Sequence, residues 1–87
     1  MAPQTFRDFI PADVDLDAGV VAVLESLERN GWYPHGRIGA AGIRYWPDFA
    51  RGRQIAVPYG SPIAEQQLAF FAQHTGIDEL LKVRERE

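Results

Sequence analysis

The sequence predicts an α+β fold of helix, three-stranded antiparallel meander and helix (α-β-β-β-α), with an N-terminal arm and a short C-terminal helical turn. Three observations carry this expectation. Val20, Val23, Leu24 and Leu27 recur at helical spacing; residues 32–57 break into three short β-like runs separated by glycine- and proline-containing turns; and Ser61-Pro62 opens a second stretch of helical apolar spacing. One domain is expected over residues 17–83, preceded by an arm at 1–16 and followed by a frayed tail at 84–87.

In the arm, Pro3 and Pro11 flank Phe6, Phe9 and Ile10, an apolar group without clean periodicity that reads as a segment docking by its aromatics. The first helix runs over 18–30, with Asp17 as N-cap and Asn30-Gly31 supplying the left-handed residue that ends it. The strands are read at 32–38, 43–46 and 53–57. Alternation sets Ile43 and Tyr45 against Arg44 and Trp46, and Ile55 and Val57 against Gln54 and Ala56, so helices should cover the Ile43/Ile55/Val57 face. Pro58 ends the third strand. Ser61 then caps a second helix with Pro62 at its first position, where a missing N–H costs nothing. Its buried stripe is read as Ala64, Leu68, Phe71 and Ala72; Gly76 stops it before a last apolar turn of Ile77, Leu80 and Leu81.

Composition narrows the function classes. The chain has 87 residues, 46% hydrophobic, 24% charged and 11% aromatic, the usage of a folded domain, and at this length about 60% of the unfolded surface is buried. With no Cys, disulfides, thiolate zinc sites and a cysteine nucleophile are excluded, and a cytoplasmic location is expected. The apolar run at 18–24 is far short of the ~20 residues that span a bilayer. The net charge of −3 is unevenly spread. Up to Glu28, Arg7 stands alone against Asp8, Asp13, Asp15, Asp17, Glu25 and Glu28, whereas the next stretch holds Arg29, Arg37, Arg44, Arg51 and Arg53 against Asp48. Self-neutralisation within the fold is expected, a partner of complementary polarity being the other reading.

The element order, with "LERNGW" closing the first helix, a Gly-centred turn, "RQIAVP" as third strand and "QHTGIDELL" near the end, resembles the HicA toxin family over residues 17–82. The resemblance implies a double-stranded-RNA-binding-domain-like fold, and a ribonuclease that cleaves mRNA until a HicB antitoxin silences it. It also implies a Gly-Ser-His motif opening the second strand, with His catalytic. Those positions fall here on Gly39, Ala40 and Ala41. A methyl group can neither accept a proton from a ribose 2′-OH nor give one to a leaving oxygen, so that general acid–base step has no agent. His35, on the preceding strand, is the one imidazole placed to reach the vacated position across the hairpin; otherwise it faces solvent or pairs with Asp48.

Other motifs resolve to structural readings. Asp13, Asp15 and Asp17 alternate as calcium ligands do, but the sixth position is Ala18 where glycine is required and Glu25 comes one residue late. Gly39-Ala40-Ala41-Gly42 matches the GxxG of KH domains, yet β-like segments flank it, so it reads as a hairpin turn. His74 suits the C-terminal end of the second helix. Neither histidine has a metal-like companion, and the sequence calls for no metal or cofactor.

Trp32, Tyr33, Tyr45, Trp46, Phe49 and Tyr59 interleave with Arg37, Arg44, Arg51 and Arg53. Rings beside guanidinium groups serve both single-stranded RNA recognition and protein hot spots. Trp32, Tyr45 and Tyr59 are expected in the core and Arg44 and Trp46 outside. Overall acidity and the lost Ser and His favour a non-catalytic binding module with a protein partner, contacting it through Arg37, Arg44, Trp46, Arg51, Arg53 and Gln54. RNA binding or a HicA-like endoribonuclease using His35 is the alternative, and homo-oligomerisation through a strand edge a third reading.

Overall fold

The computed structural model describes residues 4–47 and 51–86, with side chains described for 4–47 and 52–83. Helix α1 (Ala18–Arg29) is followed by strands β1 (Trp32–Ile38), β2 (Gly42–Pro47) and β3 (Ile55–Pro58), helix α2 (Glu65–Thr75) and a 3-10 segment (Asp78–Arg86). The strands form one antiparallel sheet in the order β1-β2-β3. The α-β-β-β-α architecture read from the sequence is the observed one.

Helix α1 starts where its cap dictates. Asp17 Oδ2 accepts the Gly19 N–H at 2.9 Å, satisfying one of the orphan donors of the first turn, and Gly31 at φ +85° ends the helix. Its stripe of Val20, Val23, Leu24 and Leu27 is fully buried against Ile43, Tyr45 and Val57 on one face of the sheet, with Trp32 and Tyr59 in the same core. The arm joins this core through Phe6 and Ile10, as its aromatics suggested.

Three details depart from the expectation. Helix α2 begins at Glu65, with Ala64 rather than Ser61 as N-cap, because Ile63 is drawn into the core and Ala64 after it stays extended. Gln67 Oε1 accepts the Ala64 N–H at 3.1 Å in place of a Ser cap, and Ala64 itself is exposed. Arg53 lies in a 3-10 turn (Arg51–Arg53) instead of opening β3. In the C-terminal segment the buried residues are Ile77, Leu80 and Val83, whereas Leu81 is 53% exposed. A spacing of three matches the three residues per turn of a 3-10 helix, so one stripe faces α1 and α2 and Leu81 falls off it.

Two glutamates fasten these pieces to α1. Glu28 Oε2 accepts the Tyr45 hydroxyl at 2.6 Å and the Phe6 N–H at 3.1 Å, joining helix, sheet and arm at one oxygen. Burial, and then the Glu28 carboxylate, push the Tyr45 hydroxyl far above its ordinary pKa, so it stays a donor. Glu79 Oε1 accepts from Ser26 Oγ, from Arg29 Nη2 at 3.0 Å and from Asn30 Nδ2 at 3.1 Å, tying the C-terminal segment to the end of α1. The Ser26 hydrogen bond, with Arg29 and Asn30 contributing, holds the Glu79 carboxyl below its ordinary value of 4.5.

Tyr45→Phe strips a buried donor from a carboxylate and should cost about 1–3 kcal/mol in urea unfolding; a change within about 0.5 kcal/mol would show the bond adds nothing. Because the Glu79 pKa is lowered on folding, its contribution is complete above about pH 4.5 and is lost as pH falls through the lower folded value. Acid titration of stability should therefore be shallower in Glu79→Gln than in the parent, and an identical acid limb would refute the linkage.

Candidate functional site: the open face of the sheet

The helices cover one face of the sheet and leave the other open. Pairing places Tyr33 opposite Trp46 and Gly36 opposite Arg44, with Arg44 opposite Ala56 on the other side. The open face therefore carries Tyr33, Gly36, Gly42, Arg44, Trp46, Ala56 and Pro58. Arg44 sits between Gly36 and Ala56, neighbours that have almost no side chain to cover it. Arg44 and Trp46 are both half-buried on this face, opposite the buried Ile43 and Tyr45, as alternation predicted.

His35 occupies a β-bulge, the register slipping between Pro34 and Gly36. Its exposed imidazole lies flat on the Trp46 indole, centroids 3.8 Å apart and planes within 6°. Gly36 makes the bulge feasible, since its φ of +141° is one that L side chains rarely adopt. The extra residue also inverts the alternation beyond it. Arg37 thus pairs opposite Ile43, on the other face from Arg44, and the two arginines do not share a surface.

The remaining site residues separate further. Gln54 is exposed just before β3, in phase with Ala56. Arg53 turns towards the end of α2, where Nη2 donates to the His74 carbonyl at 3.0 Å and the guanidinium lies 5.8 Å from the Trp32 ring centroid. It does not join Arg44. The backbone of Arg51 belongs to the 3-10 turn, but its side chain, together with Asp48 and Phe49, lies outside the described residues.

The turn at 39–41 is a hairpin, with Gly39 at φ +66° and Ile38 paired with Gly42. Ala41 explains why nothing bulky sits there: a Cβ added at Gly60 would lie 2.9 Å from the Ala41 methyl, so the two segments are already in contact, and Tyr59 N–H donates to Ala41 O at 2.8 Å. His35 is stacked on Trp46, five residues along β2 from Ala41, on the order of 16 Å at the rise of a strand. No group of three or more metal-ligating side chains gathers among the described residues, and no helix there is long and apolar enough to cross a membrane.

Of the expected self-neutralisation, the described residues show a single ion pair. Among the described residues Arg29–Glu79 is the only ion pair, and no arginine of the sheet meets a carboxylate of the acidic first third. The reason is geometric, because α1 covers the face opposite to Arg44. The strand edges are also blunted. The Tyr59–Ala41 bond sets the phase of the ladder, so Pro58 on β3 and the buried Pro34 on β1 fall where the backbone nitrogen points away from β2, and neither has an N–H to offer there. Pairing of two copies edge to edge finds no uninterrupted row of donors.

Comparison with known proteins brings no relative: no family model, no curated protein and no solved structure matches the chain.

Gly36→Ala should cost about 1–3 kcal/mol through backbone strain alone. His35→Ala should leave stability within about 0.5 kcal/mol, as an exposed substitution does, while increasing acrylamide quenching of tryptophan emission by uncovering Trp46. Unchanged quenching would show that the stack does not persist in solution.

Proposed function

We propose that this chain is a non-catalytic binding module that engages a protein partner through the open face of its sheet. The observation that carries the reading is the His35–Trp46 stack beside Arg44 on a face that no helix covers. Trp, Tyr and Arg dominate the energetics of protein interfaces because they bring large contact area together with directional polar groups. Here Tyr33, Trp46 and Arg44 stand together, and Arg44 meets no carboxylate among the described residues. A partner that supplies one would pair it as the interface excludes water.

The net charge of −3 favours a protein over a nucleic acid, since phosphate-binding domains draw their affinity from accumulated positive charge. On the HicA-like reading of the element order, Ala40 and Ala41 leave a scaffold without the family's acid–base group. A regulatory or inhibitory role in the cytoplasm follows from that reading. The opposing outcome is RNA binding, in which bases would stack on His35 and Arg44 would hold phosphate.

Affinity capture from a lysate of the source, with and without nuclease, tests this against variants. A protein retained after nuclease by the parent, and reduced at least 10-fold with Trp46→Ala and with Arg44→Glu, is the expected result. RNA recovered only without nuclease, or a protein retained equally by both variants, would overturn the proposal.

A further inference from the structure

A second surface lies around the free edge of β3 and owes nothing to the aromatic end of the open face. Ala56, Pro58, Gln66 and Phe70 line a groove between that edge and α2, and Phe70 also lines the adjoining depression with Arg53, Gln73 and His74. Phe70 is 57% exposed and stacks on the His74 ring, centroids 5.7 Å apart. An aromatic ring is thus held upright between the two depressions without being covered.

The backbone beside it is also unspent. With Tyr59 bonded to Ala41 and the register of β2 with β3, the amide and carbonyl of Ala56 face outward from the sheet. Pro58, two residues on, has a carbonyl but no N–H to offer. The edge therefore accepts a short extended segment and rejects a long one, which is why it suits a peptide and not a second sheet.

Charge sets the polarity of the groove. Arg53 is held at one end by its bond to the His74 carbonyl, and no acidic side chain among the described residues pairs with it. The glutamate of α2, Glu65, stands at the opposite end of the helix from His74.

We infer that this groove binds a short extended peptide segment of a partner protein, adding to the β3 edge at Ala56, with an apolar side chain on Phe70 and a carboxylate at Arg53. Main-chain exchange at an edge supplies affinity and the flanking side chains supply selection, the general logic of strand addition. The site is separate from Trp46 and stands whether or not the open face binds protein.

The test uses the full chain and a displayed library of random heptapeptides. Selection should enrich peptides with Asp or Glu near an apolar residue. The best of them, made synthetically, should shift the Ala56 amide resonance and lose at least 10-fold in affinity on Phe70→Ser and on Arg53→Glu, with no loss on Trp46→Ala. N-methylation of its alternate amides should abolish binding in one phase only. Retained thermal unfolding of the Phe70→Ser and Arg53→Glu chains shows that any loss is local. No enrichment, enriched peptides without a carboxylate, or affinity unchanged in both variants would overturn the inference. So would a concentration-dependent dimer that Phe70→Ser dissolves, which would assign the groove to a second copy.

Discussion

A three-stranded sheet has two faces, and this chain has helices for only one of them. Helix α1, helix α2 and the 3-10 segment all pack into the single core that holds Ile43, Tyr45, Ile55 and Val57. Because side chains alternate along a strand, every inward residue commits a neighbour to the uncovered side. Burying Ile43 and Tyr45 therefore presents Arg44 and Trp46. Sheets open on one side ordinarily show polar residues there. This one shows an indole under an imidazole, flanked by glycine and alanine, and that departure is what gives the face a functional reading.

A single helical layer also has little area with which to hold its own periphery, and two carboxylates make up the difference. Glu28 gathers the Tyr45 hydroxyl and the arm's Phe6 amide, while Glu79 gathers three donors from the last turns of α1 and its cap. Both joints lie towards the C-terminal end of α1, whose apolar stripe forms the centre of the core. The helix thus serves as the common support for arm, sheet and C-terminal segment. Of its acids, Glu28 is occupied in a joint and Glu25 is exposed on its outer side, so Arg44 of the open face meets no carboxylate among the described residues.

What the sequence made legible follows the strength of the local signal. Asp17 and Gly31 bracketed α1 because a cap and a left-handed glycine act within one turn, and the strands followed from alternation between breakers. The failures involve longer-range or subtler constraints. Ser61-Pro62 is a sound helix start, overridden because burying Ile63 is worth more than three extra residues of helix. The spacing of Ile77, Leu80 and Val83 by three is legible in principle, but the adjacent apolar pair Leu80-Leu81 draws the expected turn to Leu81 and away from Val83. The bulge at His35 is the costliest omission for function. A histidine before a glycine in mid-strand signals it only weakly, yet it separates Arg37 from Arg44 and lays the imidazole on Trp46. Pro34 and Pro58 could have marked both edges as unfit for long pairing.

The central claim is that the open face, and not the helical side, meets a protein. Placing a photo-crosslinking benzoylphenylalanine at Tyr33, beside Trp46, and separately at Glu25 on the exposed side of α1, tests it within the source cells. A protein adduct from position 33 that survives nuclease and is absent from position 25 is the predicted result. Adducts to RNA at position 33, or protein adducts from position 25 alone, would contradict the account.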